Sequence, residues 1–254
     1  MSAGAAAFHE WIGSAGEFHG RDLPTPAPGS LDVWAVNPTE ATIVAGSTQR
    51  HALDEARAEA AGLATARRRS GGGVVVVEPV HTVWIDVVVA RGDERVSDDV
   101  GRSFDWIGGV LAAAMRSGGV EVAAHRGTGT WDPLGRLVCF AGVGPGESLD
   151  PQGRKVVGLS QRRTREQVRF QTVAYRQVPV EATLAALRDD QFPGDQFSGG
   201  RAAAVAELAP VSYTHLRAHE TVLDLVCRLL LEKKKNETTA IDRTQRHTNQ
   251  HKSY

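Results

Sequence analysis

Two short segments carry the residue types from which chemistry could be built. The first is Arg67-Arg68-Arg69-Ser70-Gly71-Gly72-Gly73. Three successive glycines lack Cβ atoms, so the backbone can turn tightly and a ligand can touch its N–H groups. Such a run of N–H donors makes an anion-binding nest. Neighbouring guanidinium groups can grip a carboxylate or phosphate with paired hydrogen bonds. A bare triple glycine with basic flanks is more often a solvated loop, and no Gly-Lys-Ser/Thr follows, so this is not a P-loop. The second segment is Gly153-Arg154-Lys155-Val156-Val157-Gly158-Leu159-Ser160-Gln161-Arg162-Arg163. Lys155 is the only lysine in the first 210 residues, which otherwise use arginine twenty times. An ammonium is a compact charge that can approach one oxygen, whereas a guanidinium is a planar fork. Ahead of it stands Cys139-Phe140. A thiol there reads by itself as a small apolar side chain in a strand, between Val138 and Phe140.

Hydrophobic spacing outlines the elements that must hold these residues. Leu31–Val36, Ala41–Ala45, Val74–Val77 and Thr82–Ala90 are apolar or β-branched runs and predict strands. Thr48–Leu63 places Leu53, Ala56, Ala60 and Leu63 on one face and predicts a helix ending near Gly62. A stronger helix starts from a cap at Asp98 or Asp99. Its face carries Val100, Phe104, Ile107, Leu111 and Met115, and Gly118-Gly119 stops it. Strands are expected at Val120–Ala124, Arg136–Ala141, Arg154–Leu159 and Val168–Val178, and a helix at Pro179–Arg188. Groups of strands with helices between them indicate an α+β fold with a mixed sheet. Residues 1–30, rich in Gly, Ala and Pro, read as an irregular N-terminal segment.

The 254 residues are 41% apolar and 23% charged with a net charge of −1, which is globular rather than disordered. Near-neutral charge argues against nucleic acid as the main partner. The longest apolar run, Val110–Met115, is too short to span a membrane. Met1–Gly13 lacks the flank and core of a secretory signal, so a cytoplasmic location is expected. Cys139 and Cys227 cannot make a disulfide framework or a cysteine-rich zinc site.

Composition shifts near Pro210. Residues 1–210 hold 21 basic residues against 25 acids; residues 211–254 hold eight against five, four of the eight being lysine. Read as codons, Val211-Ser-Tyr-Thr-His-Leu-Arg-Ala-His-Glu-Thr221 resembles a transposase-type sequencing adapter, and Leu225–Leu231 and Glu232–Lys235 continue it. The competing reading is an amphipathic helix through Val222, Leu225, Val226, Leu229 and Leu230. Residues 210–254 are therefore expected to be a non-native tail, and the natural chain to continue differently past Ala209. His215, His219, His247 and His251 are set aside as metal ligands, and no metal site is expected.

Together the two segments resemble the superfamily of lipoate–protein ligases, octanoyltransferases and biotin–protein ligases. Its Arg-Arg-x-Ser-Gly-Gly-Gly pattern matches Arg67, Arg68, Ser70, Gly71, Gly72 and Gly73. Its Gly-Arg-Lys pattern matches Gly153, Arg154, Lys155, Val156, Gly158, Gln161 and Arg162. Ile43–Gln49 is similar to the family's strand and turn ending in Gln. The resemblance covers residues 31–188 and implies one catalytic domain over residues 31–209, a mixed β-sheet flanked by helices with an acyl tunnel beside the glycine loop. It implies that Ser70, Gly71, Gly72 and Gly73 line the acyl group and its activated carboxyl, and that Arg68 sits near the activating group. His81, where the family often has Asn, would contact the ligand unless it is simply structural. Lys155 would touch the acyl carbonyl oxygen, where a preplaced cation stabilises the charge that builds in the transition state.

The resemblance implies transfer of a lipoyl or octanoyl group to a lysine of a lipoyl carrier domain, from a dehydrogenase complex or a glycine cleavage protein. Two routes are open. In the ligase route ATP and Mg2+ activate the acid. In the transferase route Cys139 takes the acyl group from an acyl carrier protein, and no cofactor is needed. The family's His after the glycines is replaced by Val74–Glu78. Its Arg-Asn-Asp segment is replaced by Val143-Gly-Pro-Gly-Glu147, and its His-His-Gly by Arg169-Phe170-Gln171-Thr172. A non-catalytic acyl-binding protein is the alternative of a different class. Glu147 reads as a solvated loop carboxylate, His125 as structural, and Gln161–Arg165 as a solvated face or a docking site for an acidic carrier.

Overall fold

Alternation along Thr82–Ala90 organises the molecule. Val83, Ile85, Val87 and Val89 pack into one apolar cluster, while Trp84 and Val88 pack into another. A strand with both faces apolar must be covered on both sides. The computed structural model describes residues 6–192, and in it that strand (β6) lies inside a seven-stranded mixed sheet. The other strands are β1 (Ala6–Gly13), β2 (Leu31–Pro38), β7 (Ala123–Ala124), β8 (Ser148–Leu149), β9 (Lys155–Arg163) and β10 (Gln167–Tyr175). The order is β1-β2-β6-β10-β9-β8-β7; β1 and β2 are parallel and the other neighbours antiparallel. A smaller sheet, β4-β3-β5, comprises β3 (Thr42–Ala45), β4 (Ala64–Arg67) and β5 (Val75–Val77).

One face of the large sheet is covered by α3 (Phe104–Ser117), which contributes Ile107, Val110, Leu111 and Met115. The other face packs on the small sheet: Trp34, Trp84 and Tyr175 meet Val44, Val75 and Val77, with Phe18 wedged among them. The outer face of the small sheet, Ile43, Ala45, Val74 and Val76, is covered by α2 (Glu55–Ala60), α4 (Pro133–Leu137) and α5 (Val180–Ala185). Each fully buried Val, Leu or Phe contributes roughly 1.5–3 kcal/mol. The expected α+β architecture is therefore present. No helix among the described residues is long and apolar enough to cross a membrane.

Several local expectations are corrected. Residues 1–30 are not irregular throughout: they contain β1 and α1 (Ala15–Gly20). Edge strand β1 is half exposed, held by pairing with β2 and by stacking of His9 on Trp34 at 4.3 Å, so little apolar alternation marks it. Arg136–Ala141 is not a strand. Asp132 caps the Gly135 N–H at 2.6 Å, Pro133 takes the first turn, and Cys139–Ala141 follows as a 3-10 turn. The helix expected from Thr48 begins only after Asp54, which caps Arg57 N; Gln49 holds the preceding chain as a turn by bonding Gly46 N and Leu137 O. Likewise α3 starts at Phe104, since Asp99 takes the Arg102 N–H in a turn that leaves Val100 57% exposed. The expected boundary at 209–210 and the tail lie outside the described residues.

Candidate functional site

The glycine segment leaves β4 and turns back into β5. Arg68 fixes its shape. The side chain is buried, and its guanidinium donates to Gly71 O at 2.8 Å, Gly73 O at 2.8 Å and Val44 O at 3.2 Å. Burial pulls this guanidinium below its ordinary pKa. Arg68 was expected beside an activating group; its donors are instead turned onto the loop's own carbonyls. Gly72 has φ +96°, a region that favours glycine. Gly73 allows a close crossing: a Cβ there would lie 2.6 Å from Cys139 N. The two segments are tied by Cys139 N to Val74 O (2.9 Å) and Val74 N to Leu137 O (2.8 Å). At Gly71 an added Cβ meets nothing within 4 Å. Gly73→Ala is therefore expected to lower the melting temperature by several degrees, as overpacking costs about 1–3 kcal/mol. Gly71→Ala should melt like the parent and act only through the methyl it adds to the ligand space. Thermal melts of the two variants check this.

Ser70 opens a buried polar chain beneath the loop. Its Oγ donates to Gln171 Oε1 at 2.6 Å and lies 3.1 Å from Ser160 Oγ. The Gln171 amide nitrogen faces Asp86 Oδ2 at 3.3 Å and His19 Nδ1 at 3.2 Å. A carboxylate only accepts, so the amide N–H groups point at both, and His19 Nδ1 must accept. His19 is thus neutral, stacked on Trp84 at 4.7 Å. Its pKa is pushed down to about 3 by burial first, then by the charges of Arg169 and Arg68. Arg169 itself bonds Asp86 at 2.6 Å, and Trp84 Nε1 donates to the same carboxylate at 2.8 Å.

A depressed histidine pKa means that only the unfolded chain takes up the proton as pH falls from about 6.5 towards 3. Stability attributable to His19 is complete above 6.5 and is lost below it. Between pH 7.5 and pH 5 the loss should be about 2 kcal/mol. Urea unfolding at the two pH values should show that increment in the parent and not in His19→Gln.

Lys155 begins β9 with its side chain buried. Its Nζ donates to Cys139 O at 2.5 Å, pairs with Glu147 Oε2 at 2.6 Å and lies 5.5 Å from the Phe140 ring centre. Glu147 is not a solvated loop carboxylate: it is 3% exposed, and it also accepts from Gly144 N at 2.6 Å and Leu159 N at 3.0 Å. Gly-Pro-Gly-Glu reads as a turn, and nothing in those four residues marks the carboxylate for burial. Two named contacts leave one of the three ammonium N–H groups for an incoming oxygen.

These groups surround two joined cavities. A narrow apolar slot of about 50 Å³ runs between the sheets, among Val75, Val77, Trp84 and Val173, with His19 beside them. A wider cleft of about 400 Å³ is bounded by Lys155, Glu147, Phe104 and Trp131. Gly71, Gly72, Cys139, Leu159 and Ser160 line both, so they mark the junction. Lys155, Cys139 and Gly71–Gly73 are thereby brought together. Ser70 lies just beneath the loop. His81 is not brought in: it is exposed in the β5–β6 turn and lines neither cavity. His19, Gln171 and Trp131 are site residues that sequence reasoning missed.

The family model described as the lipoyl protein ligase A/B catalytic domain matches residues 27–216. The chain belongs to that family. It is an enzyme of the lipoate ligase or related transferase type. Its fold is similar to a chain from the Thermoplasma acidophilum lipoylation system, a bi-partite lipoate protein ligase and its E2 lipoyl domain. There the TM-score is 0.65 at 13% identity, over 90% of this chain and 83% of that one. Protein Ta0514 of T. acidophilum with bound lipoic acid gives 0.57 at 13% identity, over 80% and 72%. Lipoate-protein ligase A bound with ATP gives 0.50 at 14% identity, over 91% and 95%. No curated protein matches the sequence significantly.

The family relation raises the question of ATP and Mg2+. Among the described residues no three His, Cys, Asp or Glu side chains gather as a metal site. Glu147, the only carboxylate lining the two cavities, is already bonded to Lys155 and two N–H groups. Of the cations there, Arg68 is turned onto the loop and Lys155 onto Glu147. Lys155 keeps one N–H for an incoming oxygen, while the single carboxylate that lines the two cavities is already committed to Lys155 and two backbone N–H groups.

Proposed function

We propose that this enzyme transfers a lipoyl or octanoyl group to the side-chain amine of a lysine on a lipoyl carrier domain, with a thioester as donor. The observation that carries the reading is the junction, where Cys139 and the glycine loop border both an apolar slot and a cleft holding Lys155. The slot crosses β9, β10 and β6, two strand spacings or about 10 Å, which suits a medium-length acyl chain. An E2 lipoyl domain accompanies one relative of the same fold, which supports a lipoyl domain as acceptor.

In this reading the acyl tail enters the slot and its carbonyl stops at the junction. The Cys139 sulfur attacks the donor thioester, a new C–S bond forms, the donor's C–S bond breaks, and the proton of the Cys139 thiol passes to the departing donor sulfur. Lys155 donates its remaining N–H to the carbonyl oxygen as negative charge builds there. The acceptor amine then attacks, the C–N bond forms, the C–S bond breaks, and one amine proton passes to the departing sulfur.

The test incubates a lipoyl carrier domain with octanoyl-loaded acyl carrier protein, or with lipoate and ATP, and reads intact mass. The expected result is an octanoyl shift from the thioester without ATP, absent with Cys139→Ala. A shift that requires ATP and survives Cys139→Ala establishes the ligase route instead. No shift with either donor overturns the enzymatic transfer.

A further inference from the structure

The wide cleft contains an aromatic ring for which the transfer steps give no role. Trp131 is 49% exposed although it is among the largest apolar side chains. Its ring does not lie loose. A Cβ on Gly129 would come within 1.8 Å of it, and one on Gly142 within 2.5 Å, so both positions must be bare for the indole to sit where it does. The backbone under it is clamped by two hydrogen bonds between Thr130 and Val143, at 2.8 and 3.1 Å. The ring is thus seated on glycine backbone and lines the cleft. Phe104 and the exposed Val100 line the same cleft, and Lys155 and Cys139 are in it too.

From this we infer that Trp131 is the positioning residue for the acceptor lysine, guiding its side chain along the indole face to the acyl group at Cys139. The inference rests on the transfer reading above. Its chemistry follows from what a lysine presents. Four methylenes bury well against an aromatic or aliphatic wall, and an ammonium is attracted to the electron-rich face of an indole. The attacking amine must be neutral. The indole at the exposed side of the cleft holds the charged form on arrival. A flat ring seated in advance orders the flexible acceptor with little loss of its own freedom.

The experiment uses the full chain, first charged with an octanoyl thioester and checked by intact mass. Charged enzyme is then given a lipoyl carrier domain or hydroxylamine, a small amine with no methylene stem. With Trp131→Ala, the rate to the lipoyl domain divided by the rate to hydroxylamine is expected to fall about tenfold, mostly through a raised KM for the domain. Trp131→Phe should recover most of that ratio, and Gly129→Ala, which displaces the ring without removing it, should reproduce the loss. An unchanged ratio in Trp131→Ala overturns the inference while leaving the transfer reading standing. Parent enzyme that never becomes charged overturns the transfer reading itself, and this inference with it.

Discussion

Replacing Lys155 with methionine is expected to destabilise the protein by about 3–5 kcal/mol and to stop acyl transfer; adding Glu147→Gln should repair only the first defect. The side chains of both residues are almost wholly buried, and they pair at 2.6 Å. Removing the ammonium alone strands a buried carboxylate without its cation, and an unpaired buried charge costs far more than a buried ion pair contributes. Glutamine at 147 removes that charge, and its amide oxygen can still accept from Gly144 N and Leu159 N. Denaturant unfolding of the parent, the single and the double variant checks the first half. Transfer to a lipoyl carrier domain checks the second: the folded double variant should be slower by about 10²-fold or more, because the carbonyl oxygen has lost its donor. A double variant that folds and turns over like the parent would remove Lys155 from the chemistry.

Replacing Cys139 with alanine is expected to leave the fold intact and to lower thioester-driven transfer by about 10³-fold or more, with no acyl group detectable on the enzyme. The fold survives because Cys139 is held by its backbone: its N–H donates to Val74 O and its carbonyl accepts from Lys155. The sulfur is half-buried at the junction and makes no hydrogen bond among the described residues. In the parent, intact mass should show one octanoyl group released by hydroxylamine, as a thioester is. A thermal melt matching the parent separates lost chemistry from lost structure.

The legibility of the site varied with the kind of signal. Lys155 and Gly71–Gly73 stood out in the chain because rarity and repetition are visible in one dimension. Cys139 was found beside them but given the wrong backbone. An apolar run from Arg136 to Ala141 suggests a strand, yet the Asp132 cap and Pro133 start a helical turn before that run can extend. Arg68 stood out in the chain as well, but the three carbonyls that share its guanidinium lie at residues 44, 71 and 73 and meet only after the loop closes. Glu147 was taken for a surface group because burial of a carboxylate depends on a cation eight residues on and on two N–H groups from separate strands and turns. His19 lay in a stretch that reads as irregular, and its neutrality comes first from burial, against Trp84, and then from the charge of Arg169, with Gln171 donating to Nδ1; all three residues are over 60 positions away.

The amino-acid order alone determined the α+β architecture, since continuous apolar runs such as β6 need cover on both faces and the three-to-four spacing of α3 supplies an apolar face to give it. It also determined where the glycine bend and the solitary lysine fall, because those depend on residue type rather than on neighbours. The tertiary structure decided how those residues are charged and which way they face. Hydrogen bonding and desolvation act through space, so the Lys155–Glu147 pair, the neutral His19 and the seat of Trp131 exist only once β9, the glycine bend and the Thr130–Val143 clamp are side by side.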